Sequence, residues 1–240
     1  MPTRRSSRPP TVAELRFAEA ADELTRLSLA ERFARMHETN LWAGTESRSG
    51  VGSGMAATAR LRAELPGLLR KLGVRRLLDV PCGDFHWMSR VDLAGIDYVG
   101  GDIVEAIVAE NQARYGRDGR RFVHVDLTAG PLPGADAVLC RDCLVHLSFA
   151  NIERALRVIQ ESGARYLIAT TFLERQHNAD VADGDWRPLN LERAPFNLPS
   201  PIAAVVEGCD EEGGAYADKA LAVWRVAELP TSQRSISLGP

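Results

Sequence analysis

From Arg76 onward the chain repeats one pattern: a short apolar run, a polar turn, then a helical stretch. The runs are Arg76–Val80 (RLLDV), Tyr98–Ile103 (YVGGDI), Phe122–Asp126 (FVHVD), Ala137–Cys140 (AVLC) and Tyr166–Phe172 (YLIATTF). Runs of this kind suit strands buried on both faces of a parallel sheet. Helical stretches at Phe85–Val91, Val104–Tyr115 and Phe149–Ser162 separate most of them, the last opened by Ser148 and ended by Gly163. Such alternation predicts right-handed βαβ units and an α/β, doubly wound sheet. Two later runs, Ala203–Val206 and Leu221–Val226, have no long helix between them. They predict an antiparallel, hairpin-like terminal pair, which brings the strands to seven.

The N-terminal part reads differently. Thr11 and Glu14 form a capping box that opens a helix to about Leu27, and Ser28 and Glu31 form a second that opens a helix to about His37. Asn40 to Gly54 is dense in Gly and Ser and predicts a long loop. Helical periodicity resumes from Met55 to Leu72, with Pro66 interrupting it and Gly73 closing it. The expected organisation is a flexible tail at 1–10, helices and a lid loop at 11–54, the main domain at 55–230 and a C-terminal tail at 231–240.

Charge and cysteine usage exclude several classes. With 29 basic and 32 acidic residues the net charge is −3, so no bulk positive field argues for nucleic acid or an anionic membrane. No run of 18 apolar residues occurs, and Met1 to Pro10 lacks the apolar core of a signal peptide; a cytoplasmic location is expected. Of the four cysteines, Cys140 and Cys143 fit a C-x-x-C count in bare spacing. No second pair or His set accompanies them, so no zinc site or other metal is expected. Cys82, Cys140 and Cys143 read as small buried residues.

An acidic residue stands at the end of each of the first four strands: Asp79, Asp102, Asp126 and Asp142. In a doubly wound sheet ligands bind beyond these carboxyl ends. Asp79 and Asp102 are 23 residues apart, one βαβ step, which places the second carboxylate to accept from a ribose diol. The first loop has a single glycine, Gly83, and neither G-x-G-x-x-G nor G-x-x-x-x-G-K-[ST] occurs. A pyrophosphate is therefore poorly seated and the carboxylates would repel it. A ligand with ribose and adenine, no phosphates and a positive charge fits best.

The series LLDVPCGDFHWM, YVGGDI, FVHVDL and VLCRDCLVHLS resembles the motifs of class I S-adenosylmethionine-dependent methyltransferases. The resemblance spans about residues 40–226. Pro81 and Phe85 stand where the family usually has glycines. The D-x-P-C-G-D-F-x-W variant, preceded by W-x-G-x-E-S-x-S-G-x-G-S from Trp42 to Ser53, resembles one bacterial branch. The resemblance implies a Rossmann-like methyltransferase fold, seven-stranded and mostly parallel, with an antiparallel terminal strand and N-terminal helices. It implies S-adenosyl-L-methionine as cofactor. Asp79 and Gly83 would line its methionyl part, with Pro81 and Cys82 of the same loop also binding the cofactor. Asp102 with Ile103 would take the ribose and Asp126 with Leu127 the adenine, while Arg141 or Asp142 would border the sulfonium. The lid loop, with Trp42, Arg48 and Ser53, would fold over the cofactor.

Methyl transfer to a hydroxyl is helped by a general base, most often His. His146, four residues beyond Asp142, is the best placed of the five histidines, and these two are the catalytic candidates. His37 reads as a cation at a helix end, His124 as a core or sheet-edge residue, and His86 as a weaker candidate. His177, Asn178, Asp183, Trp186, Arg187 and Asn190 follow the fifth strand. They predict a polar lining for a small polar acceptor, such as a sugar or natural-product hydroxyl. An amine acceptor held by Asp142 and Asp183 is the alternative, and a non-catalytic module that binds the cofactor is the alternative of another class. An RNA-modifying enzyme lacks its basic groove and a nicotinamide-dependent reductase its glycine fingerprint. Trp224, expected on a terminal edge strand, allows a homodimer.

Overall fold

The computed structural model describes residues 11–230; the tails expected at 1–10 and 231–240 lie outside the described residues. In chain order the elements are α1 (Val12–Leu24), α2 (Leu29–Glu38), α3 (Ala59–Lys71), β1 (Arg76–Asp79), β2 (Asp97–Asp102), α4 (Glu105–Tyr115), β3 (Arg120–His124), β4 (Ala137–Cys140), α5 (Phe149–Glu161), β5 (Tyr166–Phe172), β6 (Ala203–Val206) and β7 (Lys219–Arg225). The strands form one sheet in the order β3-β2-β1-β4-β5-β7-β6. The first five are parallel, and β7 is antiparallel to both β5 and β6. This is the doubly wound, Rossmann-like arrangement that the alternating pattern predicts.

Strand residues divide between two cores according to the period of two. Leu78, Val99, Val138, Leu167 and Trp224 face one side, where Ile152, Ala155 and Ile159 of α5 cover them. Leu77, Tyr98, Leu139, Ile168 and Val223 face the other, under Leu61, Leu65 and Leu69 of α3. Because every central strand is buried on both faces, its sequence reads as a continuous apolar run. The polar exceptions collect at the carboxyl ends.

The two capping boxes form: Thr11 and Ser28 accept from the amides of Glu14 and Glu31, whose carboxylates accept the cap amides in return. Each cap stabilises its helix by about 1 kcal/mol. A small core of Leu24, Met36 and Leu41, with Phe17, Phe33 and Trp42 against it, joins α1, α2 and the loop that follows.

Three expectations are corrected. Pro66 does not interrupt its helix; α3 runs through it. An internal proline costs about 3 kcal/mol, but Leu65, Leu68 and Leu69 are buried beside it, and burying each contributes roughly 1.5–3 kcal/mol. No α-helix forms over 85–91; there is only a single turn at Met88–Arg90. Gly83 and Phe85 adopt φ of 51° and 56°, outside the right-handed helical region. The Phe85 ring instead packs on Tyr98, Tyr115 and Phe122 at 5.0–5.1 Å between centroids. Trp224 is on no edge. It lies on β7, paired on both sides, and its indole N–H donates to the Pro199 carbonyl at 2.7 Å. The ground for a dimer at that residue falls away.

Candidate active site

A cleft with about 1080 Å³ of empty volume runs along the carboxyl ends of β1, β2, β3 and β4 and is roofed by α2 and the loop after it. Its floor comprises Asp79 to Asp84, Asp102 to Val104, Val125 to Thr128 and Arg141 to Cys143; Phe33, His37, Trp42, Ser49 and Ser53 come from the roof. The structure thus brings together Trp42, Ser53, Asp79, Pro81, Cys82, Gly83, Asp102, Ile103, Asp126, Leu127, Arg141, Asp142 and His146. Arg48 does not line the cleft: its side chain is exposed and its backbone N–H donates to Asp84.

Two carboxylates lie deep in this cleft, each 4 % exposed. Asp79 accepts from the Tyr98 hydroxyl at 2.5 Å. Burial pushes its pKa up to about 7, with the Asp102 charge adding and Tyr98 and Arg141 opposing. Asp102 accepts from the amides of Gly83 and Val104 at 3.1 and 3.0 Å. Burial raises it to about 6 despite those bonds. Neither has a salt-bridge partner among the described residues, and a cation seated beside them would favour their ionised forms. Beside them Ile103, Val104, Ile107 and Leu127 form an apolar wall.

The roof loop is clamped to the first-strand loop. The Asp84 carboxylate accepts from the Ser47 hydroxyl (2.9 Å), the Arg48 amide (3.0 Å) and the Ser49 hydroxyl (3.4 Å), and Ser49 Oγ accepts from the Asp84 amide (3.1 Å). A Cβ on Gly83 would stand 2.3 Å from Ser49 Oγ. Glycine is needed there both for this approach and for its positive φ.

At the β4 end the buried Arg141, Glu207 and Lys219 and the half-buried Asp142 form one network. Arg141 donates to Glu207 at 2.7 and 3.3 Å and to the Gly52 carbonyl of the roof at 2.9 Å, and it lies over the Trp87 ring. Lys219 Nζ is 2.7 Å from Asp142 Oδ2 and 3.6 Å from Glu207 Oε2. Burial alone would raise the Asp142 pKa; Arg141 and Lys219 reverse that and hold it well below the ordinary carboxylate range. The Asp142 amide donates to Thr170 Oγ1 at 2.8 Å, which supports a backbone φ of 50°.

His146 lines the cleft with its ring 5.4 Å from that of Trp42. Its Nδ1 is 3.0 Å from the Asp185 carbonyl. A carbonyl only accepts, so Nδ1 carries the proton and Nε2 the lone pair. Burial, with Arg187 and Lys219 adding, lowers its pKa to about 4 against the pull of Asp142. The ring is neutral at pH 7.

The polar segment after β5 lies outside the cleft lining. His177 is exposed. Asn178 and Asn190 hold backbone groups of their own loop. Asp183 accepts from the Ser148 amide and Asn151. Arg187 donates to the Leu144 and Leu147 carbonyls, and Trp186 packs edge-on against Phe172 and Tyr216. The segment spends its polarity on its own backbone and on the neighbouring turn from β4 to α5, so the expected acceptor lining is not assembled by these residues.

Sequence reasoning missed other residues. His37 is 7 % exposed and lines the cleft; burial, then Arg48, lowers its pKa, so it is no helix-end cation. Phe33 and Leu29 share its helix face, and their i, i+4, i+8 spacing with His37 was the available signal. Glu207 and Lys219 stand 66 and 77 residues from their partners, and no local pattern marks them. His124 is exposed on edge strand β3.

Residues 78–164 match a family model described as a methyltransferase domain. No curated protein sequence matches the chain. Among solved structures, a Burkholderia thailandensis 1,6-didemethyltoxoflavin-N1-methyltransferase, with 1,6-didemethyltoxoflavin and S-adenosylhomocysteine bound, is 17 % identical with a TM-score of 0.53 and 92 % of each chain covered. Human N-acetylserotonin methyltransferase in complex with S-adenosylmethionine is 12 % identical at a TM-score of 0.48, covering 88 % of this chain and 66 % of that one. The methyltransferase domain of bacterial CtHen1-C is 15 % identical at 0.42, covering 47 % of this chain and 64 % of that one. The match to the first of these establishes the fold. Among the described residues no helix is long and apolar enough to cross a membrane.

Proposed function

We propose that this chain, which carries a class I S-adenosylmethionine-dependent methyltransferase domain, methylates a hydroxyl on a small neutral acceptor held between the roof and the β4 end of the cleft. The cofactor residues fit: paired buried carboxylates without a salt-bridge partner among the described residues, an apolar wall beside them, and no glycine-rich seat for a pyrophosphate. Asp79 and Asp102 would hold the ammonium and the ribose diol, Asp126 and Leu127 the adenine, and the Ser47–Gly54 loop would close over them. When bound, S-adenosylmethionine supplies an electrophilic methyl group on a sulfonium whose leaving group is neutral.

The chain's own residues then align the acceptor and take its proton, and proximity supplies most of the acceleration. His146 Nε2 accepts the hydroxyl proton. Trp42 and Phe33 wall the acceptor, and Ser53 closes the roof. Asp142 shapes the floor beside Arg141. We read residues 55–230 as the catalytic domain and 11–54 as its roof, acting in the cytoplasm on a small molecule.

The observation that carries the hydroxyl reading is the state of Asp142. Its carboxylate is already paired with Lys219 and Arg141, and Asp183 lies outside the cleft lining. A cationic amine therefore finds no free carboxylate at this end, which weighs against the N-methylation alternative. The non-catalytic alternative has no such support, since a neutral histidine lines the same cleft.

The test is release of S-adenosylhomocysteine from S-adenosylmethionine over matched panels of hydroxyl and amine acceptors. Turnover confined to hydroxyl acceptors, lowered 10²–10⁴-fold in His146→Ala, supports the reading. Turnover of amines alone, or a His146→Ala enzyme as fast as the wild type, overturns it.

A further inference from the structure

The turn that carries His146 is bonded along its whole length to one short strap. The Gly184 amide donates to the His146 carbonyl at 2.7 Å and the Arg187 amide to the Val145 carbonyl at 3.2 Å. The Arg187 guanidinium straddles the turn, with Nη1 donating to the Leu144 carbonyl at 2.8 Å and Nη2 to the Leu147 carbonyl at 2.7 Å. Asp183 Oδ1 accepts from the Ser148 amide at 2.7 Å, and the Asp185 carbonyl accepts from His146 Nδ1 at 3.0 Å. Four consecutive carbonyls, from Leu144 to Leu147, thus receive donors from residues 184–187.

We infer that the strap Asp183–Arg187 fixes the His146 ring in its Nδ1–H tautomer with Nε2 free for a proton, and that Arg187 is a positioning residue for this histidine. This rests on the reading of His146 as the proton acceptor. Arg187 is buried, lies over the Phe149 ring, and donates from Nη1 and Nη2 to backbone carbonyls. No carboxylate lies within salt-bridge distance of it among the described residues. A buried guanidinium used in this way costs desolvation, and burial lowers its pKa to about 10. What it gains is a planar fork matched to two carbonyls one turn apart, which a lysine cannot reproduce. The charges around His146 are Asp142 on one side and Arg187 and Lys219 on the other. The two cations oppose protonation of the ring, so geometry and field act together.

The tautomer is readable without an acceptor. In the full chain labelled with ¹⁵N-histidine, long-range ¹H–¹⁵N correlation at pH 7 is expected to show His146 with Nδ1 protonated and Nε2 bare. Arg187→Gln and Arg187→Lys are both expected to lose that signature, through mixing of the two tautomers, while S-adenosylhomocysteine affinity stays within about twofold of wild type. If Arg187→Gln does not fold, Asp183→Ala takes its place. A wild-type Nε2–H tautomer overturns the inference. So does an Arg187→Lys protein with the wild-type signature, since charge alone would then suffice. An unchanged rate in His146→Ala would instead remove the base assignment and leave the tautomer result standing.

Discussion

Arg141 and Glu207 pair at 2.7 Å with both side chains almost wholly buried, and the pair joins the end of β4 to the end of β6. The same guanidinium holds the Gly52 carbonyl of the roof. The two halves of the sheet and the lid over the cleft therefore meet on one side chain.

Glu207→Ala leaves Arg141 and Lys219 with Asp142 as their only carboxylate within 4 Å among the described residues. Breaking a buried pair from one side costs about 3–5 kcal/mol. Chemical denaturation is expected to show a loss of that size. A loss under about 1 kcal/mol would mean that water reaches the network.

Asp102→Asn removes the charge and keeps only one of the two oxygens that accept from the Gly83 and Val104 amides. S-adenosylhomocysteine affinity is expected to fall by about 1.5–3 kcal/mol, the scale of charge-assisted hydrogen bonds. Calorimetry with an unchanged Kd would sink the ribose assignment.

Cofactor binding should also depend on pH. The folded-state pKa values of Asp79 and Asp102 are raised to about 7 and 6 from the usual carboxylate value. Between about pH 4 and 7 the folded chain holds protons that the unfolded chain has lost, so their contribution to stability is full below pH 4 and is lost as pH rises through 7. His146, lowered to about 4, runs the other way: its penalty lies below its ordinary pKa and vanishes as pH rises to about 6.5. The two partly cancel in the stability of the free protein. They would not cancel in cofactor binding, because in the proposed reading the ammonium of the cofactor would be held by the carboxylates. Affinity for S-adenosylmethionine is expected to rise from pH 5.5 to 8, and a flat profile would show that neither carboxylate senses the ligand.

Asp84→Ala removes the acceptor shared by Ser47, Arg48 and Ser49. Limited trypsin digestion is expected to cut after Arg48 faster in this variant than in the wild type. Equal rates would mean that other contacts hold the loop.

Much of this architecture was legible because it is local. The alternating runs located all seven strands, and the S/T-x-x-E spacing located α1 and α2. The strand-end aspartates marked the floor of the cleft, since strands buried on both faces leave polar residues only where they exit. What was not legible depends on distant partners. Asp183, Arg187 and Asn190 look like substrate ligands in a one-dimensional reading, because polarity in a loop does not reveal whether it faces a ligand or nearby backbone. Phe85 read as a helix start, and only its aromatic neighbours on β2, β3 and α4 explain its left-handed backbone. His37 reads as a helix-end cation in the sequence because the roof that buries it is formed only in three dimensions.

Calorimetric titration of the purified chain with S-adenosylmethionine, S-adenosylhomocysteine and NAD in parallel tests the account most directly. Binding of both sulfur nucleosides with no NAD signal is the predicted result. No binding of either, or NAD binding as tightly, would contradict the reading of the paired carboxylates on which everything at this site depends.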